Sequence, residues 1–89
     1  MTHVTIATPA GRVFTSTSPT AIADKLRAWC APLDADERQQ ITIIHGALIE
    51  GDFWAAGELC NELAFGVDFA WSPSGTGNWQ HRTVFGSKR

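Results

Sequence analysis

Between residues 18 and 66 this chain carries three helix-start signals, each followed at helical distance by a stop, and that punctuation constrains the fold more than any other feature. Ser18-Pro19 opens the first: a serine hydroxyl can accept from an orphan N–H, and a proline at the first helical position has no N–H to lose. Ile22, Leu26, Trp29 and Leu33 then recur at helical spacing, predicting a helix to about Ala31 that Pro32 stops, with Trp29 in the core. Asp34-Ala35-Asp36-Glu37 has the form of a capping box and predicts a second helix to Glu50, closed by Gly51. Its apolar positions Ile41, Ile44, Leu48 and Ile49 are expected to face inward. The β-branched run Ile41-Thr42-Ile43-Ile44 would also suit a buried strand, but the cap before it and the glycine after it favour helix. Asp52 caps a third helix, Phe53 to about Phe65, with Phe53, Ala56, Cys60 and Leu63 at core spacing and Gly66 as its stop.

The flanks follow a different period. Residues 1–17 alternate β-branched and small side chains around Pro9-Ala10-Gly11-Arg12, which is hairpin chemistry. Residues 67–85 hold two more alternating runs around a loop containing Pro73, Gly75 and Gly77, a second hairpin, and 86–89 form a short basic tail. The order is ββαααββ over one domain, 1–89. The expected architecture is α+β: one small antiparallel sheet made from both hairpins, with the three helices packed on one face.

With 89 residues the chain has room for a single core and modest stability, which makes a homodimer a natural supplement. Apolar residues at 44% against 18% charged exclude the composition of a disordered chain. No apolar run approaches the roughly 18 residues a bilayer span needs, and no secretory leader pattern follows Met1, so the expected compartment is cytoplasmic with no membrane contact. Cys30 and Cys60 lack the close Cys/His spacing of a zinc site and read as small, buried, reduced hydrophobes; no metal and no cofactor is implied.

Charge is segregated. Residues 34–68 hold eight acids against the single base Arg38, a net of −7; the remainder holds six bases against Asp24, a net of +5, and the two give the chain's −2. Asp34, Glu37 and Asp52 are accounted for as helix caps and first-turn acids. Glu50, Glu58 and Glu62 are not, and Glu58 and Glu62, four apart on one helix face, repel each other. The bland reading is a solvated acidic face; the functional one is a surface for a basic partner.

Four tryptophans exceed what so small a core needs. Trp54 lies beside its helix's apolar stripe, where it would be half exposed, and Trp71 and Trp79 flank the glycine loop, where they would pair across the strands. Tryptophan is enriched at binding hot spots, which makes Trp54 and Trp79 contact candidates. Gly75-Thr76-Gly77 lacks the spacing and the following helix of a phosphate loop. Trp79, His81 and Arg82 with the basic tail could hold single-stranded nucleic acid by stacking and phosphate contact, although the cations are few. For catalysis His45 would have to meet Cys60 or Asp52 across the helical corner, or His3 would have to meet His81; no motif spacing announces a nucleophile, a base and an orienting group together, so no catalytic residue is assigned.

The reading that follows is a non-enzymatic protein-binding module, an inhibitor or regulator. It would dock Glu50, Asp52, Trp54, Glu58 and Glu62, with Trp79 and Arg82 from the hairpin, on a protein partner's basic, nucleic-acid-binding surface. Bound there it would act by occlusion. In size and charge alone, with no shared motif, the chain resembles the small inhibitors that phages encode against bacterial defence complexes, anti-CRISPR proteins among them, and such a likeness does not by itself establish function. The alternatives are a small nucleic-acid-binding domain using the C-terminal hairpin and a small enzyme centred on His45.

Overall fold

The computed structural model describes residues 2–63 and 66–82. Seven elements follow in the expected order: β1 (His3–Ala7), β2 (Val13–Ser16), α1 (Pro19–Trp29), α2 (Ala35–Glu50), α3 (Phe53–Asn61), β3 (Asp68–Ser72) and β4 (Gln80–Arg82). The strands form one antiparallel sheet in the order β2-β1-β3-β4, so the two hairpins join through their β1 and β3 strands at its centre. The helices pack against one face of it.

Each helix start is built as its residues demand. Ser18 accepts from the Ala21 N–H at 3.1 Å with Pro19 in the first turn. Asp34 accepts from the Glu37 N–H at 2.8 Å while the Glu37 carboxylate reaches back to the Asp34 N–H at 3.3 Å, a complete capping box. Gly51 ends α2 in the left-handed region at φ +79°, and Asp52 immediately caps α3 through the Ala55 N–H. The run Ile41–Ile44 is helical, because Ile41 and Ile44 are spaced to bury together on one side while Thr42 and Ile43 stay exposed.

The core lies between sheet and helices. Val4 and Ile6 of β1 and Phe69 and Trp71 of β3 share the inner face and meet Ile22 and Leu26 of α1, Ile41, Ile44 and Leu48 of α2, and Ala56 and Cys60 of α3. The register Ile6↔Phe14 and Ala7↔Val13 turns Phe14 inward and leaves Val13 64% exposed. Lys25 lies over the Phe14 ring at 4.8 Å, using its stem and charge to cover the sheet edge.

Five expectations need correction. Ile49 is 65% exposed rather than inward, because one residue after Leu48 means about 100° of rotation off the buried stripe. Trp29, the last residue of α1, packs against the core as its place on the stripe implies, but α1 ends there with Cys30 as its cap, short of Ala31. Phe53 is only partly buried. Helix α3 ends at Asn61, short of Phe65: the Glu62 N–H is shared between the carbonyls of Glu58 and Leu59, the Leu63 N–H bonds three residues back to Cys60, and residue 67 is then clamped. The Val67 N–H donates to the Cys60 carbonyl at 3.1 Å and its own carbonyl accepts from Asn61 Nδ2 at 2.7 Å, which turns the chain into β3. Finally, Trp71 stands opposite Gln80, not Trp79, so the two tryptophans do not form a cross-strand pair. The expected strand beyond Arg82 and the basic tail lie outside the described residues.

Candidate functional site

The acidic residues singled out by sequence fall on two adjoining parts of the α2–α3 hairpin. Glu50 is the last residue of α2 and Asp52 the cap of α3, both exposed, with Gly51 alone between them. Along α3, Trp54, Glu58 and Glu62 recur every fourth residue and are all exposed, which makes them one outward stripe. Trp54 begins that stripe with 55% of its surface exposed.

Two of these acids, Glu50 and Glu62, sit where the helix dipole opposes them. Neither α2 nor α3 has a basic residue in its last turn, where the macrodipole's negative end favours one. Instead Glu50 ends α2 and Glu62 caps α3. Each such placement costs up to about 0.3–1 kcal/mol at an exposed site.

The tryptophan at the head of the stripe is held from beneath. Trp71, 7% exposed on β3, has three ring neighbours among the described residues: Phe53 stacked at 6.1 Å, Phe69 tilted at 5.5 Å and Trp54 edge-on at 4.9 Å. Half of the Trp54 indole is thereby fixed by packing and half is presented to solvent, the geometry of a preorganised contact residue. Helical angle predicted the half-exposure of Trp54, but Ile49 and Phe53 flank the same corner against expectation: Ile49 lies one step past the buried Leu48, whereas Phe53 keeps core spacing and is partly exposed as the first residue of α3.

The hairpin candidates are arranged differently. Trp79 is half-buried just before β4, and the Arg82 backbone pairs opposite Phe69 at the sheet's edge, with its side chain outside the described residues. Strand β4 packs against α3, the helix that carries the acidic stripe.

The histidines considered for catalysis have other surroundings among the described residues. The His45 imidazole has the Thr20 hydroxyl as its hydrogen-bond partner, Nε2 to Oγ1 at 3.2 Å, and Asp52 is engaged in capping. His3 and His81 lie on β1 and β4 with β3 between them. Cys30 and Cys60 are free and buried. Burial pushes the Cys60 thiol up to about 12, helped by the neighbouring Cys30, and burial followed by the Glu37 charge raises Cys30. Such thiols stay protonated and poorly nucleophilic. Among the described residues no group of three His, Cys, Asp or Glu side chains could hold a metal ion, and no helix is long and apolar enough to cross a membrane. No family model, curated protein or solved structure matches the chain.

Proposed function

We propose that this chain is a non-enzymatic protein-binding module that inhibits or regulates a partner by laying the α2–α3 acidic surface over a basic region of it. One observation carries the reading: Trp54, Glu58 and Glu62 form a single exposed stripe on α3 whose aromatic end is braced on Trp71. An aromatic anchor with acids beside it supplies affinity through the ring and fast, salt-sensitive association through the charge. Acids at helix C-termini, where they work against stability, are the kind of local conflict that a binding role explains. A partner surface evolved to hold nucleic-acid phosphate has the matching charge, and covering it would block that nucleic acid by occlusion.

The test is capture from a lysate of the organism that makes the protein, at low and high salt, with captured proteins identified by mass spectrometry. Wild type should retain a basic partner at low salt, and Glu58→Lys/Glu62→Lys should lose it while remaining folded. Unchanged capture by the double variant would sink the proposal. A mobility shift with single-stranded DNA that Trp79→Ala abolishes would move the function to the C-terminal hairpin instead.

A further inference from the structure

A cleft of about 360 Å³ lies beside the corner between α2 and α3, lined by the buried Val4, Ile22 and Leu48 and by Ile49 and Phe53. Thr17 also lines it, with the hydroxyl-bearing Thr2, Ser16 and Ser18, and among the described residues none that lines it is charged. At the small end of the range for ligand pockets, this volume has room for one large apolar side chain.

What surrounds the mouth selects the occupant. Ile49, Gly51 and Phe53 line the cleft, and the two residues that alternate with them, Glu50 and Asp52, are both exposed acids. The only base in residues 34–68 is Arg38, near the other end of α2. An apolar hole under a negative rim complements an apolar side chain flanked by Lys or Arg. Ile49 supports this independently of charge, because an isoleucine 65% exposed at the mouth contributes little to the core and offers apolar surface to a visitor.

We propose that this cleft is an anchor pocket for a single large apolar side chain carried on a basic segment of a partner protein. The inference rests on the protein-binding reading above and adds to it the contact that fixes register, as buried anchors do at other interfaces. The α3 stripe then supplies steering and the cleft supplies selectivity.

The probes are short synthetic peptides with leucine, phenylalanine or alanine between two Lys-Arg pairs, and matching peptides with glutamates in place of the bases. Backbone amide shifts of the protein are followed by NMR during titration. The leucine and phenylalanine peptides should shift Val4, Ile22, Ile49 and Phe53 and bind at least about tenfold tighter than the alanine peptide, a factor that Thr17→Trp, by plugging the cleft, and Ile49→Gln, at an exposed position that tolerates change, should each erase. Glutamate-flanked peptides should shift nothing. Equal binding of leucine and alanine peptides, with shifts at Glu58 and Glu62 but none at the cleft, would overturn the pocket and leave the acidic-surface reading standing. Absence of any shift with the leucine and phenylalanine peptides would also overturn the pocket, and the lysate capture then judges the broader reading separately.

Discussion

The indole of Trp54 meets that of Trp71 edge-on, with ring centroids 4.9 Å apart and planes at 84°. The two rings divide the labour: Trp71 belongs to the core, and Trp54 stands on it facing solvent. Trp71→Ala should therefore cost about 3–5 kcal/mol and threaten folding outright. Trp54→Ala should lose the edge contact and partial burial at a smaller cost, about 0.5–1.5 kcal/mol, yet remove most partner binding. Urea denaturation with a binding assay on both variants separates the two roles, and equal stability losses would contradict the division.

Gly75 makes a second close approach. Its φ is +78°, and a Cβ there would come within 2.7–2.8 Å of the His3 imidazole. The loop is held in that place by Ser72, whose hydroxyl donates to the Gly77 carbonyl and accepts from the Gly75 N–H at 3.0 Å. Gly75→Ala therefore carries a left-handed backbone cost of about 1–2 kcal/mol with a clash added. His3→Ala should relieve the clash but not the backbone cost, so a double-mutant cycle should show favourable coupling of about 0.5 kcal/mol or more. Strict additivity would place the loop elsewhere.

The capping box of α2 makes a local prediction. Asp34→Ala removes the acceptor for the Glu37 N–H and should cost about 1 kcal/mol, whereas Glu37→Gln keeps an oxygen aimed at the Asp34 N–H and should stay within about 0.5 kcal/mol. Thermal melts of the two variants decide it.

Cys60 ties stability to alkaline pH. Its unfolded thiol ionises near 9.0 and its native one near 12, chiefly because it is buried. Between those values the unfolded chain releases a proton that the native chain keeps. The contribution is thus intact below the unfolded value and is lost as pH rises from about 9 toward 12. Wild type should lose urea resistance over that range faster than Cys60→Ala does, and native protein at pH 8 should resist thiol alkylation until unfolded. Identical pH slopes would show that other groups govern the alkaline limb.

Local signals account for what the sequence disclosed of this fold. The three caps, the Gly51 stop and both hairpins were legible because each depends on residues a few positions apart. Strand order was not: placing β1 beside β3 joins segments more than sixty residues apart and depends on how Phe69 and Trp71 meet the helices. The same difference runs through the candidate site. Helical angle predicted the exposure of Trp54, Glu58 and Glu62, but the support of Trp54 by Trp71 follows from packing α3 over β3, which no local pattern encodes. Ile49 was misread where angular arithmetic would have served, because hydrophobic identity was weighed above position.

The sharpest separation of folding from function compares Ile44 with the pair Glu58 and Glu62. Ile44 is fully buried in the shared core, so Ile44→Ala should cost about 2–5 kcal/mol and fail by unfolding. Glu58→Lys/Glu62→Lys acts on exposed positions at the C-terminal end of α3, where cations suit the helix dipole better than anions. The replacement exchanges one like-charge pair for another, so the net change should lie within about 0.5 kcal/mol of wild type, with the dipole tilting it toward stabilisation. If the stripe is the docking surface, this folded variant should nevertheless lose its partner, and the salt dependence of whatever binding remains should flatten. Melting curves and salt-titrated binding on the same samples provide the comparison. A double variant that melts like wild type and binds with unchanged affinity and salt slope would reduce the acidic stripe to an ordinary solvated face.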